Sequence, residues 1–242
     1  MRILAIETAT MLGGIALLDE SAGLIAEIRL NVQSTHSERL MTGTKYIITQ
    51  SGLTISDIDC FALSIGPGSF TGLRIGLSTV KGLSYATGKP VVSVPTLEAF
   101  AYNFPYSAYP VCTMLDARKK EVYAALFRWD GEGFIRVVAE IPVKIPELME
   151  RIRVCTEDKV VFTGEGALLY QDRIIESMGE RALFASHDAR VPSPAHVALL
   201  GMKKAHKKEF SDITGLVPLY IRRSEAELKK DGGNRNSRNA AT

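Results

Sequence analysis

The stretch SIGPGSFTGLRIG, residues 64–76, does most to limit what this chain can fold into. It follows an apolar run, CFALSI at 60–65, and opens a helical pattern, TGLRIGLSTVKGLSYATG at 71–88. Gly66, Pro67, Gly68 and Gly72 crowd into the junction. Glycines permit a sharp strand-to-helix turn. Ser69 or Thr71 supplies a hydroxyl for the first free N–H groups of the helix, and Gly88 closes it. A chain built around such a unit is α/β, with sheets covered by helices.

Three chemistries that use glycine-rich turns fail here on spacing. A dinucleotide fingerprint needs G-x-G-x-x-G, whereas Gly66, Gly68 and Gly72 give G-x-G-x-x-x-G, and the next strand, VVSVP, ends without an acid. A P-loop needs G-K-[ST], and Gly88-Lys89 is followed by Pro90. A nucleophile elbow needs glycine two residues before its serine, and Pro67 stands there before Ser69. What remains is a structural turn whose helix start can still attract an anion. Gly72 and Gly76 then share one helix face with Thr79, Val80 and Leu83. Each interior glycine costs about 1 kcal/mol relative to alanine, so two of them imply close approach of another backbone. That backbone is either a strand of the same chain or a helix of a partner, and the sequence leaves both open.

The apolar runs RILAIE (2–7), GGIALLD (13–19) and LIAEIRLN (24–31) are joined by short turns, which predicts two successive hairpins. Ser37 is placed to cap a helix reaching Gln50, with Leu40, Met41, Thr44, Ile47 and Ile48 on its buried face. The first hundred residues thus read β-β-β-α-β-α-β. Strands are expected at 111–115, 121–128 and 136–143, and a short helix at PELMERIR. A strand, glycine loop and helix follow in KVVFTGEGALLYQDRIIESM, then a helix in SPAHVALLGMKKAHKK. The two halves share an element order without a sequence repeat. From Asp231 no large apolar residue remains, which predicts a disordered tail.

A net charge of +2 over 242 residues gives no electrostatic footprint of a nucleic-acid-binding domain. Cys60, Cys112 and Cys155 are scattered and odd in number, which suits a reducing compartment. Glu7 interrupts the first apolar run too early for a signal peptide, and no apolar run reaches the length of a membrane span. A cytoplasmic protein without membrane contact is expected. His36, His187, His196 and His206 include no pair four apart, so no helical H-x-x-x-H metal site is expected; His36 is assigned to a solvated helix start and the others to the surface. DARKKEVY, 116–123, alternates in charge and is assigned to a solvated turn. Lys203, Lys204, Lys207 and Lys208 suit the C-terminal end of a helix, with a weak nucleic-acid contact as the minor reading.

The segments ILAIETAT, GPGSFTGLRIGLSTVKGL, VPTLEAFA, DARKKEVYAALF, FTGEGA and PLYIRR together resemble the bacterial TsaB (YeaZ) family over residues 1–224. The resemblance implies the two-lobed fold of actin, sugar kinases and chaperone ATPases, with mixed sheets flanked by helices. On that fold residues 1–105 form a first lobe and 106–194 a reduced second lobe. Residues 195–223 supply a helix and strand packing back on the lobes, and 224–242 form a polar tail. The implied function is that of a non-catalytic partner subunit. It binds and activates a TsaD-like enzyme that transfers threonylcarbamate to tRNA adenosine, with a TsaE-like ATPase joining the complex. tRNA is met only through the complex, and a homodimer is an option when the partner is absent. The family's partner contact uses the first two helices, here 37–50 and 71–87. This nominates Ser37, Leu40, Met41, Thr44, Gly72, Leu73, Gly76, Thr79, Val80 and Leu83 as interface residues.

Glu7, Thr8 and Thr10 fall where the fold's nucleotide enzymes hold phosphates, but Met11 and Leu12 beside them are apolar, and Glu165 in TGEGA opposes an anion. No catalytic residue, metal ligand or cofactor is therefore assigned, and ATP or ADP at a subunit interface is left open. A weak ATPase or glycoprotease-like hydrolase of the same superfamily is the alternative.

Overall fold

The computed structural model describes residues 1–30 and 36–221, with the side chains of 36–39 excepted. The tail assigned to 224–242 and the end of PLYIRR lie outside the described residues. Three strands come first, β1 (Arg2–Glu7), β2 (Gly13–Asp19) and β3 (Gly23–Leu30). They are followed by α1 (His36–Gln50), β4 (Cys60–Ser64), α2 (Phe70–Thr87) and β5 (Val91–Val94). A short α3 (Thr96–Ala101) leads to β6 (Val111–Asp116), β7 (Val122–Trp129), β8 (Phe134–Val143) and α4 (Ile145–Cys155). Then come β9 (Val160–Thr163), α5 (Glu165–Leu169), α6 (Gln171–Met178), β10 (Ala182–Phe184) and α7 (Pro194–His206).

The strands form two mixed sheets, ordered β3-β2-β1-β4-β5 and β8-β7-β6-β9-β10. In both, the first three strands pair antiparallel and the last two add in parallel. The second half therefore repeats the topology of the first. The apolar alternation of β1 and β4 serves both faces of the first sheet. Leu4, Ile6, Phe61 and Leu63 face α1 and α2, where they meet Leu40, Ile47, Leu77 and Val80. Ile3, Ala5 and Ala62 face the other way, onto Val197, Ala198 and Leu200 of α7. The second sheet packs Leu97, Phe100 and Ala101 of α3 on one face and α4, α5 and α6 on the other. α7 and α3 thus lie in the middle, with α1 and α2 as the outer layer of the first sheet.

Several local expectations need correction. α1 begins at His36, so Ser37 stands inside its first turn and not ahead of it. α2 begins at Phe70, one residue early, because Ser69 and not Thr71 is the cap. The helix expected after β9 is broken at Tyr170, whose backbone leaves helical geometry at φ −115° and ψ 22°. α3 and β10, six and three residues long, are too short to carry a period and were not expected. No strand follows α7 among the described residues. That segment instead lies along the first sheet, with Ser211 N–H donating to the Val91 carbonyl and Leu219 N–H to that of Ile65.

Candidate functional site

The β4–α2 junction is built by glycines that let the β1–β2 turn press against α2. A Cβ at Gly72 would lie 2.1 Å from the Thr8 carbonyl oxygen, and one at Gly76 2.3 Å from the Thr8 hydroxyl. One at Gly68 would meet the Ala9 carbonyl oxygen at 2.3 Å. Ser69 N–H donates to that same Ala9 carbonyl, and Ser69 Oγ accepts from Gly72 N–H at 3.2 Å. Gly66, at φ +116°, donates its N–H to Thr96 Oγ1 and accepts from Thr96 N–H, locking the loop to the start of α3. The close backbone that the glycines demanded belongs to the chain's own first turn.

Beneath this contact Glu7 is fully buried. Its Oε1 accepts from Ala9 N–H, while Oε2 and the hydroxyls of Thr8 and Ser64 have no hydrogen-bond partner among the described residues. Burial pushes the Glu7 carboxyl up to about 7.

The other side of the same helices faces outward. α1 and α2 touch each other and cover one face of the first sheet, so their outer sides form one surface. Ser78, Gly82 and Ala86 are exposed at i, i+4 and i+8 along α2, and a Cβ at Gly82 would meet nothing within 4 Å among the described residues. Met41 and Tyr46 of α1 and Tyr85 of α2 are exposed as well, Tyr85 by 65%. The described side chains of α1 and α2 include Lys45, Arg74 and Lys81 and no carboxylate.

This geometry redistributes the residues nominated for a partner interface. Leu40, Thr44, Gly72, Leu73, Gly76 and Val80 are buried in the chain itself. Thr79 and Leu83 are half-buried, and Met41 is exposed. The Ser37 side chain lies outside the described residues. An apolar period marks the side a helix turns to its own core, so a nomination along that period selects the inner face. Tyr46, Ser78, Gly82, Tyr85 and Ala86 are exposed on the same two helices and were not among the nominated residues. Gly82 is a third glycine of the helix and falls off the Gly72–Gly76 line.

A TsaB (tRNA threonylcarbamoyladenosine biosynthesis protein) of Bacillus subtilis is 31% identical over 230 residues, 95% of this chain and 97% of its own length. The Escherichia coli protein of the same name is 30% identical over 96% of this chain and 99% of its own. The chain belongs to the TsaB family. A family model described as TsaD, tRNA N6-adenosine threonylcarbamoyltransferase, also matches residues 24–230. YeaZ of Pseudomonas aeruginosa superposes with a TM-score of 0.73 at 25% identity, covering 90% of this chain and 99% of that one. Another crystal structure, of a protein described as similar to peptidase YEAZ, reaches 0.75 at 27% identity, covering 91% and 99%. The two-lobed α/β fold of this family also extends to component A of (R)-2-hydroxyglutaryl-CoA dehydratase of Acidaminococcus fermentans. That protein has a TM-score of 0.50 at 12% identity and covers 85% of this chain and 99% of its own.

In this TsaB-family chain the pseudo-repeated sheets bring four loops to a cleft of about 860 Å³. The β1–β2 turn and the β4–α2 loop face the β6–β7 turn and the start of α5. Thr10 lines the cleft, whereas Glu7 and Thr8 are buried behind it. DARKKE does form a turn, with Arg118, Lys119 and Lys120 all at positive φ (62°, 54° and 63°) and an Asp116–Arg118 ion pair at 3.2 Å. It also lines the cleft, as does Glu165. His187 and His206 are exposed, but His196 is partly buried, its Nδ1 2.9 Å from Asn103 Oδ1, and burial lowers its pKa. Burial pushes the Cys60 thiol up to about 12 and raises that of Cys112 too, while Cys155 is exposed. Among the described residues no group of three or more His, Cys, Asp or Glu could hold a metal ion, and no helix is long and apolar enough to cross a membrane.

Proposed function

We propose that this chain is a non-catalytic subunit that binds and activates a TsaD-like enzyme for threonylcarbamoyl transfer to tRNA adenosine, in the cytoplasm. The observation that carries the proposal is the outer face of α2. Gly82 costs about 1 kcal/mol in a helix interior, and no close neighbour among the described residues accounts for it. With Ser78 and Ala86 it forms a strip on which a second helix can pack backbone to backbone. Exposed Met41, Tyr46 and Tyr85 supply the anchors typical of protein interfaces. Lys45, Arg74 and Lys81, with no described carboxylate between them, select an acidic counterpart.

The names of the TsaB relatives and the match to the TsaD model supply the reaction to which such docking belongs. A TsaE-like ATPase joins the assembly, tRNA is reached through it, and a second copy of the chain covers the same face when the partner is absent. The test is reconstitution. Mixed with a purified catalytic subunit, the chain should co-elute as a heterodimer and raise the rate of threonylcarbamoyl transfer. Transfer by the purified chain alone, or no complex, would contradict the proposal.

A further inference from the structure

We propose that the cleft between the two sheets receives an uncharged, apolar segment of the polypeptide docked on α2, and not a nucleotide. The inference rests on the partner reading of that helix. The cleft lies where α/β folds commonly bind ligands, beyond the ends of parallel strands and between two lobes. On its floor, however, the Ser69 N–H is engaged by the Ala9 carbonyl. Behind it the N–H groups of Gly66 and Gly72 go to Thr96 Oγ1 and Ser69 Oγ. The carbonyls of Thr8 and Ala9 press against Gly72 and Gly68, leaving no gap for a phosphate between turn and helix. On the opposite wall Glu165 adds negative charge, and behind it Gly164 sits equally tight, its Cβ position 2.1 Å from the Met114 carbonyl oxygen.

The charges in the lining balance. Asp116 and Arg118 pair with each other, and Glu165 and Lys119 are opposite in sign. A polyanion gains nothing from such a site, whereas an uncharged occupant loses nothing. Large apolar side chains dominate the rest, beside the hydroxyls of Thr10, Ser69, Tyr123 and Tyr220: Met11, Phe70, Leu168, Leu169 and Leu219 are 38–65% exposed and line this one cleft. Concentrated apolar exposure of this kind marks an interaction site. Walls that remain so open suit a polypeptide segment better than a small molecule, which pockets bury by 70–90% or more. The chain's own C-terminal stretch is a poor occupant, because after Ile221 its single large apolar residue is Leu228. Phe70, with Arg74 stacked 3.8 Å over its ring, begins α2, so the cleft continues directly from the helix a partner would cover.

Met11→Asp and Leu169→Asp place a charge in the cleft at side chains already more than half exposed, and Tyr85→Asp does so on the outer face of α2. Each variant is checked by its thermal melt and titrated calorimetrically against the purified catalytic subunit. Both cleft variants are expected to melt like the parent chain and to bind the subunit at least tenfold more weakly. Parent-like binding by the cleft variants while Tyr85→Asp fails would overturn the cleft proposal and leave the partner reading intact. No complex with the parent chain would overturn both. A small molecule retained by the parent chain in native mass spectrometry and lost from Leu169→Asp would overturn the proposal in favour of a ligand pocket.

Discussion

Two glycine patterns run along α2, and they mean opposite things. Gly72 and Gly76 point inward, where any Cβ would collide with Thr8. Gly82, with Ser78 and Ala86, points outward, where a Cβ at position 82 would meet no described residue within 4 Å. The helix penalty is the same at all three glycines, about 1 kcal/mol. On the inner side the chain's own packing offsets that penalty, and on the outer side nothing among the described residues does. An unexplained cost on a surface is thus more informative about partners than an explained one in the core.

The largest effect should come from Gly76→Arg. The side chain would have to pass through Thr8 and Leu63 and bury an unpaired charge, so the variant should be insoluble or lose several kcal/mol of stability. Gly72→Ala tests the same side more gently. One methyl against the Thr8 carbonyl should cost about 1–3 kcal/mol in a denaturant melt. A parent-like melt for either variant would break the inward half of the comparison.

Glu7 sharpens it through pH. Its carboxyl is raised by burial from the usual value near 4.5 to about 7, so the folded state holds its proton longer than the unfolded state. Stability from this group is complete below about pH 4.5, falls as pH rises toward 7, and is flat above that, an overall loss of about 3 kcal/mol. Glu7→Gln should remove that fall, seen as melts that no longer drop between pH 5 and 7. Gly82→Ala should stabilise the isolated chain by about 1 kcal/mol, since it restores helix propensity and touches nothing. The smallest change is expected for Arg74→Ala, which loses an exposed stack on Phe70 and a hydrogen bond to Tyr220 at 3.0 Å. Its melt should move by less than about 1 kcal/mol.

The fold was legible where period and punctuation agree. The apolar runs at 2–7, 13–19 and 60–65 and the glycine-closed helix at 71–88 gave the order of the first half, which the sheet pairings reproduce. α3 and β10 span too few residues to show a period, and the break at Tyr170 has no glycine or proline to announce it. Which sides of α1 and α2 are exposed was less legible. Leu40 and Thr44 lie on an apolar rhythm and Val80 on the Gly72–Gly76 line, and both turn to the chain's own core. Whether Gly72 or Gly82 faces a partner depends on where Thr8 sits, and that contact joins residues about sixty positions apart in sequence.

Gly82→Arg tests the central claim most directly. A long cation at this position should leave the isolated chain's melt unchanged or slightly raised, because arginine is the better helix former and the site is open. It should hold a partner helix away, so that the variant no longer co-elutes with the catalytic subunit on size exclusion. A folded Gly82→Arg chain that still forms the complex with parent-like affinity would contradict the account.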